Sequence, residues 1–236
     1  MSTTNADELL FVPLGGAGEI GMNLNLYGFG LPGNEDWLMI DLGVTFNDGE
    51  LPGIDVLMPD PRFIEDRKDR LLALILTHAH EDHLGAVQYL WPKLRCPIYA
   101  TPFTVSVLRR KLAETEFCSE VQINEVPLGA KFTLGPFDLE WVTMTHSIPE
   151  PNAIALRTPL GTVLHTGDWK FDPDPVVGEP ADEKTLRRIG EEGTLAVVCD
   201  STNVFTPGTT GSEADILDNL TDIIASCTGQ VAVACF

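Results

Sequence analysis

The chain has 236 residues, 44% of them hydrophobic, enough for one large domain, or one domain and part of another, around a substantial core. Fifteen Lys and Arg against 35 Asp and Glu give a net charge of −20, which argues against nonspecific affinity for polyanions; specific nucleic-acid recognition stays open, because bound dications add charge that the formal count omits. No stretch approaches a membrane span, the polar and acidic residues 1–8 lack a secretory pattern and read as a disordered tail, and five cysteines without a Cys-x-x-Cys pair indicate neither a disulfide framework nor a cysteine zinc knot, leaving buried free thiols in a reducing cytosol as the expectation.

In chain order, a first short strand is predicted over 9–14. Gly16-Ala17-Gly18-Glu19-Ile20-Gly21 follows and matches G-x-G-x-x-G, with Asp41 twenty residues past its last glycine, so a dinucleotide site has to be weighed. Context rejects it. The next segment, 22–28, alternates like a strand, and Gly28, Gly30, Pro32 and Gly33 leave no room for the helix that such a site requires. Further strands are predicted at 36–42 and 71–77, a helix at 84–91, a strand at 97–100 and a helix at 102–115. Strands at 121–126, 137–145, 153–158 and 161–166 come next, then a helix at 182–190, a strand at 194–200 and a helix at 212–227. Leu51-Pro52-Gly53 and the Pro- and Gly-rich 172–180 are loops. The tight basic clusters, Arg109-Arg110-Lys111 and Arg187-Arg188, fall in helices and read as solvated faces before they read as RNA contacts. Paired strands first, then strands alternating with helices, imply an α/β (α+β) fold with sheets sandwiched between helices.

Three of the five histidines fall within six residues, in Thr77-His78-Ala79-His80-Glu81-Asp82-His83. His and Asp are costly to bury unpaired, so this density at a strand end points to a metal site rather than to packing. His78 and His80 are two residues apart and project to one side of an extended segment. Asp82 sits where the next helix begins, which puts Asp82 and His83 in its first turn, facing the same centre; the plain alternative for Asp82 is a helix N-cap. Because imidazole dominates the donor set, Zn²⁺ or Mn²⁺ suits it better than Ca²⁺. His146 and Asp168 each follow another predicted strand, so three strand ends can converge on one point. The fifth histidine, His165, reads as a buried, hydrogen-bonded support for the ligands.

His-x-His-x-Asp-His, a later His and a later Asp form the motif series of the metallo-β-lactamase fold. Within it, Leu14 to Asn23, Thr145-His146-Ser147-Ile148-Pro149, His165 to Asp172 and Asp200-Ser201-Thr202-Asn203 resemble the ribonuclease J family of bacterial β-CASP nucleases, from about residue 9 to the last residue. The resemblance implies an αββα sandwich over 9–200 and the beginning of a β-CASP domain over 201–236. It also implies that a last metal-ligating histidine and further β-CASP motifs lie beyond Phe236, so the chain is expected to be part of a longer protein. Residues 230–236 would then be a buried strand broken off at its edge.

The same resemblance implies two divalent cations, Zn²⁺ first and Mn²⁺ second: His78, His80 and His146 hold one, Asp82 and His83 the other, and Asp168 bridges them. Asp82, His83 and Asp168 carry the chemistry, with Asp82 either a pure ligand or also a proton acceptor. A hydroxide activated between cations roughly 3.5 to 4 Å apart would cleave RNA phosphodiesters, exo- and endonucleolytically, in RNA decay and maturation. Asp41 would be a structural acid beneath the metal loop, and Asp200 either orients a ligand or caps its own turn. The implied partners are 5′-monophosphorylated single-stranded RNA and further copies of the chain, the implied location is the cytoplasm, and the 236 residues alone would be weakly active or inert. The alternatives are a small-molecule metallohydrolase, against which Asp200-Ser201-Thr202-Asn203 argues, and a non-catalytic RNA- or protein-binding module. No G-x-S-x-G elbow is present to support a serine triad.

Overall fold

A computed structural model describes residues 6–47, 49 and 51–234. The chain opens with β1 (Glu8–Gly15), β2 (Leu24–Gly30) and β3 (Asp36–Ile40), followed by the short β4 (Thr45–Phe46) and β5 (Val56–Leu57) and the single turn α1 (Arg62–Glu65). Then come β6 (Leu71–Ile75), α2 (Glu81–Leu84), α3 (Val87–Leu94), β7 (Ile98–Ala100), α4 (Pro102–Leu112) and β8 (Ile123–Glu125). The second half runs β9 (Lys131–Leu134), β10 (Phe137–Thr143), β11 (Asn152–Thr158), β12 (Gly161–His165), α5 (Glu183–Glu192), β13 (Ala196–Val198) and α6 (Glu213–Ser226).

Among the described residues two large sheets result, one ordered β1-β2-β3-β6-β7-β8 and the other β13-β12-β11-β10-β9, beside a two-stranded sheet of β4 and β5. In the first, β3, β6, β7 and β8 run parallel, so their C-terminal ends lie along one edge. Period-two alternation sends successive side chains to opposite faces. Leu24, Leu26, Trp37 and Met39 pack under α1, α3 and α4, with Ile64, Trp91 and Leu108 from those helices. Tyr27, Phe29, Leu38, Ile40 and Ile75 meet Phe137, Leu139, Trp141, Ile154 and Leu156 between the sheets. On the far side Val142, Ala153 and Ala155 pack on Ile189 of α5. The layers are therefore helix, sheet, sheet, helix, as the metallo-β-lactamase resemblance implies.

Several local readings need correction. Glu8 belongs to β1 and not to the tail expected over 1–8, and residues 1–5 lie outside the described residues. The helix expected over 84–91 is two pieces, because the Asp82 and His83 carbonyls accept the Asn23 and Leu42 N–H groups and the Ala86 N–H goes to Leu42 O, which removes the bonds that would join α2 to α3. His80 holds the N-cap position, so Asp82 lies inside the first turn. Strand β9 is too short for its pattern to declare itself; it is created by pairing with β10 across the turn at Gly135. Residues 230–234 are exposed and form no strand, and Cys235 and Phe236 lie outside the described residues. Of the four described cysteines, all free, Cys96 is buried but Cys118, Cys199 and Cys227 are exposed, because they sit in turns and loop ends rather than on core-facing strand positions.

Arg188 does more than the solvated face expected of it. With Lys131 (2.9 Å) and Arg157 (2.8 Å) it surrounds Glu140, whose side chain is 3% exposed on β10. Burial raises the Glu140 pKa, but hydrogen bonds from Arg188, Lys131 and Arg157 outweigh that and hold it down at about 2, against an ordinary 4.5. A carboxylate depressed in the folded state stabilises above its unfolded pKa, and the gain disappears as pH falls from about 4.5 toward 2. Discounted for the exposure of Lys131 and Arg188, the group contributes about 2 kcal/mol. Glu140→Gln is expected to lower Tm by about 4–8 °C at pH 7, with the gap closing at pH 3; a gap independent of pH in thermal melts would contradict this assignment.

Candidate metal centre

The centre is assembled from strand ends. Chain leaving β3 reaches Asp41, fully buried with φ 63°, a left-handed conformation that Asp tolerates better than most residues. Its carboxylate accepts Thr77 N–H (2.8 Å) and Thr77 Oγ1–H (2.8 Å) from the end of β6 and pairs with His83 Nδ1 (2.7 Å). The 78–83 loop is then gripped by main chain: Asn23 N–H donates to Asp82 O, Leu42 N–H to His83 O and Val44 N–H to Glu81 O. Gly43 passes so close that a Cβ there would fall 1.6 Å from Asp82 O, so no side chain is tolerated at this position.

Within this frame one nitrogen or oxygen from each of His78, His80, His146 and Asp168 lies within 4.8 Å of all the others, and so do atoms of Asp82, His83 and Asp168. His78 Nε2 and His146 Nε2 each lie 3.1 Å from His80 Nδ1. Tetrahedral arms of 2.0–2.1 Å have edges of about 3.3 Å, so His80 stands at ligand spacing from both His78 and His146, as one zinc-sized ion would require. Burial, with the neighbouring imidazoles adding to it, pushes the His78 pKa well below its ordinary value; burial also lowers those of His80 and His146, against the pull of nearby carboxylates. The rings are thus neutral at pH 7, the state in which imidazole ligates. The second cluster differs in charge. His83 Nε2 faces Asp168 Oδ1 (3.2 Å) and Asp82 Oδ2 (3.5 Å), while Asp168 Oδ2 lies 3.6 Å from His146 Nε2. Burial opposes a charged His83, yet the charge of Asp41 and hydrogen bonds from the ring to Asp168, Asp41 and Asp82 prevail and raise its pKa well above the ordinary value. Three carboxylates around one buried ring call for a cation. Two donor groups sharing Asp168 fit a pair of divalent ions.

Asp41 lies beneath the loop, in contact with Thr77 and His83. His165 is buried with its pKa pushed down by burial to about 4, but its hydrogen bond goes to Tyr27 OH (2.9 Å), away from the six grouped residues. Asp200 accepts Thr202 N–H (2.8 Å) and donates its own N–H to Thr166 Oγ1, so its hydrogen bonds are those of a turn cap. Sequence reasoning assigned no role to Asn23, whose Nδ2 reaches Asp82 O (3.0 Å) and His83 Nε2 (3.3 Å); its place directly after the glycine loop was the available signal. A cleft of about 490 Å³ opens over Asp82, His83 and Asp168, walled by the 16–21 glycine loop and by residues 198–205; among the described residues lining it none is Lys or Arg.

The model of the metallo-beta-lactamase superfamily matches residues 26–222. A ribonuclease J of Sinorhizobium meliloti is 51% identical over 230 residues, covering 98% of this chain and 41% of that protein. Ribonuclease J 1 of Streptococcus pyogenes is 38% identical over 98% of this chain and 40% of its own length, and ribonuclease J of Helicobacter pylori 35% identical over 100% and 34%. The chain thus spans about two fifths of the length of these relatives. A crystal structure of a protein of unknown function from Enterococcus faecalis shares the fold, with TM-score 0.67 at 19% identity over 93% of this chain and 58% of that one.

Proposed function

Because the chain belongs to the metallo-β-lactamase superfamily, and its relatives over nearly its whole length are ribonucleases J, we propose that it is the metal-binding portion of a metal-dependent ribonuclease that hydrolyses single-stranded RNA, preferring 5′-monophosphorylated ends. The observation that carries the reading is the convergence of His78, His80 and His146 on one side of Asp168 and Asp82 and His83 on the other. Two divalent cations bound there, Zn²⁺ by donor chemistry with Mn²⁺ second, would supply Lewis acidity toward the phosphodiester and toward water at neutral pH.

The protein's own groups do the rest. Asp41 fixes the His83 ring through its Nδ1–H, which aims Nε2 at Asp168 and Asp82, where a bound cation would take the place of the Nε2 proton. Asp168 faces both donor groups and sets their separation. Asp82, half-buried on the cleft side, is placed to accept a proton from the attacking water. One water adds at phosphorus and the 3′ oxygen leaves with a proton, giving a 5′-phosphate and a 3′-hydroxyl. Among the described residues lining the cleft there is no Lys or Arg to neutralise the RNA, so phosphate affinity would depend on the bound metals and on the main-chain amides of the glycine loop. None of the described helices is long and apolar enough to cross a membrane, and the cytoplasm is the proposed location.

Chelation is the direct test. The full natural protein as purified is expected to contain a transition metal by elemental analysis, and its removal is expected to abolish cleavage of 5′-monophosphorylated RNA and to weaken RNA binding. Metal-free protein that cleaves RNA at the original rate would end the proposal.

A further inference from the structure

We infer that Asp172 is a positioning residue for the metal centre: its carboxylate ties the N-terminus of α6 to the loop carrying Asp168 and, through Thr145, to the strand end carrying His146. The inference rests on the reading of that centre given under Proposed function.

Asp172 is 4% exposed, and three donors converge on its carboxylate: Lys170 Nζ at 2.8 Å, Asp174 N–H at 3.0 Å and Glu213 N–H at 2.9 Å. Glu213 is the first residue of α6 and lies 41 positions away, at the helix end where an anion is favoured. Its own side chain returns the contact by accepting Val176 N–H (3.0 Å), with Lys170 Nζ at 3.6 Å, and Ser212 Oγ–H donates to Asp174 O (3.1 Å). The other end of the link is main chain. Asp172 N–H donates to Thr145 Oγ1 (3.2 Å), Thr145 Oγ1–H to Lys170 O, and Lys170 N–H to Thr145 O (2.8 Å), an isolated antiparallel bridge. Thr145 precedes His146 by one residue, and Lys170 follows Asp168 by two. The spacing of His146 and Asp168, 3.6 Å between Nε2 and Oδ2, is thus set by a stitch whose outer end is the start of α6. Asp172 is absent from the cleft lining, so it acts through these neighbours and not on substrate.

The experiment uses the full natural protein with Co²⁺ as the probe, reading the visible absorption of the bound ion and its affinity by competition with a chelator, with thermal melts alongside. Asp172→Asn, which keeps the shape but loses the charge, is expected to weaken Co²⁺ binding about tenfold or more and to change the absorption bands; Lys170→Met is expected to follow in the same direction. If Asp172→Asn does not fold, Glu213→Ala is measured in its place, with a smaller shift of the same sign. Variants that bind Co²⁺ with wild-type affinity and spectrum, even with a lowered Tm, would reduce Asp172 to a brace for α6 and overturn the inference while leaving the metal centre standing. An unsubstituted protein that takes up no Co²⁺ would overturn both.

Discussion

Asp168→Asn in the full natural protein is expected to lower RNA hydrolysis by about a thousandfold, the equivalent of about 4 kcal/mol of transition-state stabilisation. One side chain faces both donor groups, with Oδ1 toward His83 and Oδ2 toward His146, so a single change affects the two together. The amide has the same shape but carries no charge, and it places an N–H where a cation belongs. Its side chain is 30% exposed, which keeps the folding cost small. The measurement is kcat/KM on a 5′-monophosphorylated oligoribonucleotide together with metal content. Activity within tenfold of the unsubstituted protein, at full metal content, would show that Asp168 does not join the two sites.

Asp41→Ala is expected to be strongly destabilising, costing about 4 kcal/mol and lowering Tm by about 10 °C. It would strand the Thr77 N–H and the His83 ring, both buried, and it would put alanine at φ 63°, a conformation that aspartate accepts more readily. Asp41→Asn keeps an acceptor for Thr77 and is expected to cost about half as much. Chemical denaturation with metal removed isolates the fold from the ligands; a loss under 1 kcal/mol for Asp41→Ala would mean that the loop is held by its main-chain bonds alone.

The 78–83 cluster was legible in the sequence because metal-binding chemistry concentrates rare residues at short spacing, and His146 and Asp168 stood out by following strand-like runs. What was hidden lies in long-range pairing. Asn23 meets the loop across 60 positions, and Glu140 draws its three cations from β9, β11 and α5, so no local pattern could announce either. The division of the helix expected over 84–91 is of the same kind, since it depends on bonds to Asn23 and Leu42 from elements far earlier in the chain. His165 shows the reverse case: its burial could be anticipated from a strand position, but its partner, Tyr27 on the facing sheet, could not.

The grip of Asn23, Leu42 and Val44 on the 81–83 segment uses main-chain N–H groups, which every amino acid except proline supplies alike. Side chains along the walls of the opening that, unlike Asn23, make no bond to this segment can therefore be exchanged without slackening the anchor beneath them. The scaffold separates what it must keep from what it is free to vary, which lets one architecture serve catalysts with unrelated appetites.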